Sequence, residues 1–337
     1  MPRHRFGIVA LSFGFALIQS RIILLAFGMT GYMASVDIVF GVTTGHPYWR
    51  ECQSRVLSPY AVKAIALLTH SHVAAHILFG ILMLTLAGCV AWNLGEKVGG
   101  DTKSALISFL AMQMGFTSLL SPHWLYAWDF TGLVLFLVFV IFVAESKRWP
   151  WFVALFSVAI LNRESAEFIA LWMVLDPLIK RRNWTMFAAG ACCGLAGVGL
   201  TMFLQSHLLV AYVDSILFPL ATALQSIRTE ASYNVRLMLT ALQSIRTAFQ
   251  MAPLLLFPAG VVCFAIMLSR RDPQRWLALS LVVLANLAAC LLRGDVSETR
   301  QYLEMLPFVM LGVVVFCGPQ KASALQLEQQ FTSRHAT

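Results

Sequence analysis

The sequence has 337 residues, of which 59% are hydrophobic and only 12% are charged, whereas roughly 25% of the residues in an ordinary soluble domain are charged. A soluble protein of this length cannot bury so much apolar surface, so we expect a lipid bilayer to surround most of the chain. This composition excludes a cytosolic enzyme, a disordered protein and a secreted disulfide scaffold. The formal net charge is +8, which is typical of a membrane protein with basic cytoplasmic loops. No basic run is longer than Lys180-Arg181-Arg182, so no nucleic-acid partner is expected.

Apolar runs of membrane-spanning length recur along the chain. A spanning helix needs about 20 apolar residues, so the runs predict an all-α, polytopic transmembrane helix bundle with about ten spans. The expected spans are Phe6–Met33, Val73–Trp92, Ser104–Ser121, Phe130–Ala144, Trp149–Leu161, Phe168–Ile179, Trp184–Leu204, Pro253–Leu268, Trp276–Leu292 and Tyr302–Cys317. Trp149–Leu161 and Phe168–Ile179 are short or broken, so the count lies between about eight and ten. We expect one transmembrane domain over residues 1–317 and a polar tail over residues 318–337.

The first apolar run has an alternative interpretation. Met1–Arg5 is a basic start and Phe6–Ile18 is an apolar core, and together they also fit a signal peptide. The cleavage pattern of small residues is poor, and the apolar run resumes at once at Ile22. We therefore favour an uncleaved first helix.

The distribution of Lys and Arg predicts which way the chain faces. When about ten spans alternate from a cytoplasmic N-terminus, the short basic turns Lys147–Arg148, Lys180–Arg182 and Arg270–Arg275 all lie on the cytoplasmic side, as the positive-inside rule requires. The C-terminus is then cytoplasmic as well. The outer face receives the long stretches 34–72 and 205–252 and the turns 122–129, 162–167 and 293–300.

The outer stretch 34–72 contains residues suited to chemistry beside a membrane. Asp37 is a candidate general base, because an ionised and desolvated carboxylate can accept a proton, and Glu51 is a second acid in the same stretch. Arg50 and Arg55 are candidates for binding phosphate, since guanidinium groups match phosphate oxygens in pairs. The alternative is an interfacial loop held by ion pairs and aromatic anchors.

Two outer turns carry further charged residues. Asn162–Glu167 lies between two apolar runs, and ionisable residues at membrane depth are candidates for function. We therefore assign Arg163 and Glu164 to substrate binding, and Arg163 is also spaced to pair with Glu167 at i,i+4. Arg300 is a further candidate phosphate ligand, again four residues before an acid, Glu304. The alternative for both turns is a set of ion pairs that only hold helices together.

Other patterns carry weaker signals. His72 and His76 share a helix face but lack the glutamate of the zinc-protease signature, so no metal site is expected. Asp129 opens an apolar run, where a carboxylate complements the helix dipole. The segment Thr222–Thr229 recurs letter for letter as Thr240–Thr247, which we attribute to a small duplication without a chemical role.

Four short stretches resemble a group of uncharacterised bacterial polytopic membrane proteins. They are Arg55–Tyr60, Trp128–Gly132, Asn162–Ser165 and Glu298–Arg300. That group is similar in layout to the GT-C superfamily of membrane glycosyltransferases. The resemblance implies a bacterial inner-membrane protein that moves a sugar from a polyprenyl-phosphate donor to an acceptor at the extracytoplasmic face. No cofactor is expected.

The GT-C pattern also implies roles for single residues. Members carry an acidic catalytic residue in the first extracytoplasmic loop, which makes Asp37 the implied base and Glu51 its reserve. Arg55, Arg163 and Arg300 become the implied ligands of the donor phosphate. The paired acids common in that loop are absent here, which leaves metal dependence open.

Two other classes of function remain as alternatives. A non-enzymatic lipid or solute transporter would use the broken region around Asn162–Glu167 as a midplane site. Such a protein needs polar residues that reach both faces of a central cavity, and the cytoplasmic halves of the predicted spans contain almost none. A structural assembly subunit would use the charges of Arg163 and Glu164 to hold a complex.

Overall fold

The computed structural model describes residues 2–46, 52, 54–120, 125–207, 228–229, 231–236, 239, 252–293 and 299–317. These residues form helices and turns without a β-strand, which confirms the predicted all-α class. The longer helices are α1 (Pro2–Thr43), α2 (Leu57–Thr69), α3 (His72–Gly99), α4 (Thr102–Ser118), α5 (Ala127–Ala144), α6 (Trp149–Ala159), α7 (Glu167–Lys180), α8 (Trp184–His207), α9 (Ala252–Arg271), α10 (Pro273–Arg293) and α11 (Leu306–Cys317). Two 3-10 helices, Glu164–Ala166 and Thr299–Glu304, precede α7 and α11. The polar tail and the duplicated segment, apart from Arg228 and Thr229, lie outside the described residues.

Five helices in the described part of the chain are long and apolar enough to cross a membrane. They are α1 from Arg5 onward, α3, α5, α8 and α10 as far as Leu292. Helices α2, α6 and α11 are apolar but shorter. Several apolar helices of this kind fit an integral membrane protein, whereas the count of about ten spans stays a prediction.

Helix α1 is longer than the sequence predicts, and this corrects the assignment of residues 34–72 to a loop. It continues through Asp37 to Thr43, because Val36, Ile38 and Val39 remain buried in the apolar core beyond the expected end of the span. Helix α2 then occupies a further part of the same stretch. Asp37 therefore lies on a helix and not in a loop.

Helices α1 and α3 run antiparallel. The ring of Phe40, late in α1, stacks on His72 at the start of α3 with a centroid distance of 3.7 Å. One turn further into α3, the Tyr32 hydroxyl lies 2.7 Å from Nδ1 of His76. The two histidines therefore have separate partners, and His/Cys/Asp/Glu groups of metal-binding size are absent from the described residues.

Several turns meet at one end of the bundle around Glu145. Lys97, near the end of α3, lies 2.6 Å from one oxygen of this carboxylate, and Lys147 lies 3.1 Å from the other. The Arg275 guanidinium donates a hydrogen bond to the carbonyl of Ala144 at 2.6 Å. We call this region, defined by Lys97, Glu145, Lys147 and Arg275, the basic end. The hydrogen bond from Lys97, supported by Lys147, holds the pKa of Glu145 below its ordinary value.

Helix α5 is the central helix of the bundle. It packs against α2, α3, α6 and α11, and nearly all of its residues are buried. In its middle, the ring of Phe139 makes edge contacts with Phe152 and Trp172. Because α5 is enclosed on all sides, its first turn is held in one position, and that turn carries Asp129.

Candidate functional site

Six charged side chains meet at the end of α5 that lies opposite the basic end. They are Arg55, Asp129, Arg163, Glu164, Arg300 and Glu304, and we call them the ionic cluster. From Asp129 to Ala144, α5 rises about 22 Å at 1.5 Å per residue. The ionic cluster and the basic end therefore lie at opposite ends of α5.

Asp129 is the centre of the ionic cluster, and its side chain is fully buried. One carboxylate oxygen lies 3.3 Å from Nη1 of Arg163, and the other lies 3.3 Å from Nη1 of Arg300. The backbone N–H of Tyr126 donates a hydrogen bond to Asp129 at 2.9 Å, which caps the start of α5. Asp129 thus joins two arginines that are far apart in the sequence.

Arg163 links Asp129 to the second buried acid, Glu304. Nη1 of Arg163 lies 3.2 Å from Glu304 Oε1, and the Ser165 hydroxyl donates to the same oxygen at 2.7 Å. Burial acts to lower the pKa of Arg163, but the negative charges of Glu304, Asp129 and Glu164 outweigh it and raise that pKa. Arg163 therefore stays charged.

Glu164 is the most accessible acid of the ionic cluster. Its side chain is 32% exposed, compared with 4% for Glu304. It accepts a hydrogen bond from Ser54 and lies 3.5 Å from Nη2 of Arg55. Burial works to raise the pKa of Glu164, but Arg55 and Ser54 outweigh it and lower that pKa. Glu164 is therefore ionised at neutral pH.

Uncharged polar groups tie the chain segments of the ionic cluster together. The Ser58 hydroxyl donates to the side-chain oxygen of Asn162 at 2.5 Å and lies 2.7 Å from the Thr131 hydroxyl. The Asn162 amide donates to the carbonyl of Trp128 at 2.9 Å. The starts of α2 and α5 and the turn between α6 and α7 are therefore joined side by side. Three of the four stretches that resemble bacterial polytopic membrane proteins meet here, and Arg300 adds the fourth.

Aromatic rings cover the guanidinium groups on one side. The guanidinium of Arg300 lies 4.6 Å from the ring centre of Tyr126, and that of Arg55 lies 5.2 Å from the ring of Trp128. Within the described part of the chain, two buried donors here have no hydrogen-bond acceptor, namely Nε of Arg55 and Nε1 of Trp128. Such donors are suited to an acceptor that the described residues do not supply.

An apolar pocket adjoins the ionic cluster at Glu304. It lies between α5, α7, α10 and the chain before α11, and its walls include Phe136, Phe168, Leu279, Val283, Asn286 and Phe308. Apart from Asn286 and the Glu304 carboxylate, the lining residues are hydrophobic. The pocket therefore leads from an apolar wall to a charged group.

The structure brings together four of the residues that the sequence assigns to the site. Arg55, Arg163, Glu164 and Arg300 all belong to the ionic cluster. Asp37 does not: it lies on an exposed face of α1, and no ion pair among the described residues includes it. Arg50 and Glu51 lie outside the described residues.

The two ion pairs suggested by i,i+4 spacing do not form in the structure. Arg163 does not pair with Glu167, because its backbone is extended (φ −166°, ψ 149°) and it precedes a 3-10 turn. Arg300 does not pair with Glu304, because both lie in a 3-10 helix, where residues three apart and not four apart align. Both arginines turn to Asp129 instead.

Sequence reasoning missed the acids that organise the site. Asp129 was interpreted as a partner of the helix dipole, which its cap supports, but its two arginines were not foreseen. Glu304 was expected to pair locally. A usable signal was present, since ionisable residues inside apolar runs need a partner of opposite charge.

Comparison with known proteins finds no matching family model, no matching curated protein and no matching solved structure.

Proposed function

We propose that this integral membrane protein is a glycosyltransferase of GT-C type, which takes a sugar from a polyprenyl-phosphate donor at the membrane face that carries the ionic cluster. The observation that supports this proposal is the convergence of Arg55, Arg163 and Arg300 around shared carboxylates. Guanidinium groups in this arrangement can hold a phosphate and stabilise the charge that develops on it as it leaves.

The donor phosphate enters at Arg55. Three arginines face three carboxylates in the ionic cluster, so an incoming anion must replace a carboxylate at one of them. The pair of Arg55 with Glu164 has the longest N–O distance, 3.5 Å, and the most exposed acid. The unsatisfied Nε of Arg55 and the neighbouring Nε1 of Trp128 then supply two further donors to the phosphate oxygens.

Glu164 is the general base in this proposal. Once the phosphate has displaced it from Arg55, its carboxylate accepts the proton of the acceptor hydroxyl. The acceptor oxygen forms a bond to the sugar carbon, and the bond from that carbon to the phosphate oxygen breaks, with the electron pair leaving on the phosphate. Asp37, the base that the GT-C resemblance implies, lies outside the ionic cluster, so we assign the role to Glu164.

A lipid-linked donor is preferred to a soluble sugar nucleotide because several helices of the protein are long and apolar enough to lie in a bilayer. A donor held in the same bilayer reaches the protein without leaving the lipid. The apolar pocket at Glu304 is too small to hold a hydrocarbon chain, so the chain of the donor would lie against the outside of the bundle.

A transporter is supported less well. The bundle between the ionic cluster and the basic end is filled by large buried side chains, including Phe139, Phe152 and Trp172. A midplane pathway would need polar groups on both sides of this layer.

The proposal is tested by sugar transfer in membranes of cells that express the full chain, supplied with radiolabelled polyprenyl-phosphate hexose. We expect Glu164→Gln to lower the transfer rate by about 10²- to 10⁴-fold, the usual contribution of a positioned base. Asp37→Asn is the matched control and should leave the rate unchanged. Full transfer by the Glu164→Gln variant would contradict the proposal. So would a transfer rate in membranes with the natural chain that does not exceed the rate in membranes without it.

A further inference from the structure

Within the described part of the chain, one carboxylate near the ionic cluster has no partner of opposite charge. Glu167 begins α7, one turn after Arg163, but Arg163 is directed toward Asp129 and Glu304. No ion pair among the described residues includes Glu167. Its Oε1 atom is buried and has no hydrogen-bond partner there.

The Glu167 carboxylate faces the part of α8 that contains two glycines, Gly194 and Gly197, which have no side chains. A methyl group added at Gly194 would lie 3.5 Å from Oε2 of Glu167, an ordinary contact, whereas one added at Gly197 would overlap Oε1. The same added group at Gly197 would lie 2.8 Å from the ring of Phe156 in α6. The carboxylate thus occupies a space that exists only because residue 197 is a glycine.

Among the residues that the structure describes, the other ionisable groups around Glu167 do not supply a positive charge. Helix α8 contributes Cys193, with Cys192 beside it. The preceding turn contributes Arg163 and Glu164, which are held in the ionic cluster. Helix α6 presents the ring of Phe156. On α10, which packs against α7, Cys290 is an ionisable group close to Arg163.

The neutral form of the carboxyl fits this location best. An ionised carboxylate against apolar groups loses its hydration without gaining an ion pair, which is costly. The first turn of a helix favours a negative charge when its N–H groups reach the carboxylate. Here Oε1 accepts no such hydrogen bond and points to Gly197 of α8.

We propose that Glu167 is a proton-binding site at the contact between α7 and α8. The protonated carboxyl lies against Gly197 and keeps the two helices packed. When the proton is released to water, the charged carboxylate leaves this contact and the packing of α8 on α7 loosens. This inference is independent of sugar transfer, since Glu167 has no part in the mechanism proposed for the ionic cluster.

A hydrophobic carbodiimide tests the site, because such reagents add to protonated carboxyls in apolar surroundings. The carboxyl oxygen bonds to the carbodiimide carbon, the carboxyl proton moves to a carbodiimide nitrogen, and the adduct is located by mass spectrometry. In the purified full chain in detergent we expect an adduct at Glu167 that decreases as the pH rises. Its absence at every pH from mildly acidic to neutral would overturn the proposal.

Two glycine variants give a matched control. Gly197→Ala removes the space for the carboxyl and should abolish the adduct, whereas Gly194→Ala meets only an ordinary contact and should keep it. Equal labelling of the two variants would overturn the proposal.

Thermal unfolding gives a second measurement, with the sign set by linkage. A fold that holds the proton more tightly than the unfolded chain loses stability as the pH rises above the ordinary range of Glu, about 4.3. The melting temperature of the natural chain should therefore fall relative to Glu167→Gln as the pH rises. A pH-independent difference between the two would contradict the inference.

Discussion

Asp129 shows how a single buried charge is made tolerable in this protein. The free energy of desolvating its carboxylate is offset by two guanidinium groups and by the N–H of Tyr126. The same carboxylate also keeps Arg163 and Arg300 from being buried charges without a partner. A buried pair of this kind contributes little net stability while it is intact, but removing one partner leaves the other uncompensated.

We expect Asp129→Asn to destabilise the protein by about 3–5 kcal/mol, the usual cost of leaving a buried charge without its partner. The measurement is reversible unfolding in mixed detergent micelles. Asp37→Asn removes the same charge from an exposed helix position and should change the free energy of unfolding by less than about 0.5 kcal/mol. Similar effects of both substitutions would show that Asp129 does not organise the ionic cluster.

For single residues, the sequence predicts which residue types form the site, but it does not predict which of them form ion pairs with each other. Arg163 and Glu164 were identified because charged residues between apolar runs are rare and costly. Their partners depend on how the turns fold: an extended Arg163 points to Asp129 and Glu304, while a helical Arg163 would have faced Glu167. The partners of Glu164 are Ser54 and Arg55, which are far away in the sequence.

Helices were easier to predict than their ends. Each predicted span overlaps a helix of the structure, because apolar length is a local property of the sequence. The continuation of α1 to Thr43 and the presence of α2 were missed, since the stretch 34–72 was predicted to be an outer loop. Val39 and Val62 are nevertheless fully buried in the core, and this tertiary packing decided the outcome.

Gly28 is the position where α1 departs from a regular helix. Its backbone has φ 65° and ψ 167°, a region open to glycine and strained for any other residue. We expect Gly28→Ala to cost about 1–3 kcal/mol of stability through backbone strain, because no atom lies within 4 Å of the added methyl group. The measurement is again unfolding in mixed micelles.

Gly14 provides the matched control for this prediction. It also has no atom within 4 Å of an added methyl group, but it lies in the regular part of α1. Gly14→Ala should therefore raise stability by up to about 1 kcal/mol, the difference in helix propensity between the two residues. A stabilising effect of alanine at both positions would mean that α1 is straight at Gly28.

Over the whole molecule, charge is divided between two ends of the bundle. The basic end has a surplus of positive charge around Glu145, while the ionic cluster at the other end is formally balanced and buried. Sequence analysis predicted this division from the alternation of spans, and contacts between turns far apart in sequence agree with it. Which end faces the cytoplasm depends on the membrane and its insertion machinery, which the packing of the chain does not record.

We expect the basic end to face the cytoplasm, because Lys and Arg near the ends of spans are retained on that side. In a variant that lacks the native cysteines, Ser146→Cys places an exposed thiol between Glu145 and Lys147, and Thr44→Cys places one at the end of α1. The ring of Phe40 in the last turn of α1 stacks on the first residue of α3, while Lys97, at the opposite end of α3, belongs to the basic end. The two new thiols therefore lie at opposite ends of the bundle.

A maleimide that cannot cross the membrane should label residue 44 in intact cells and residue 146 only after the membrane is opened. The reverse pattern would place the ionic cluster on the cytoplasmic face and would contradict a donor bound outside.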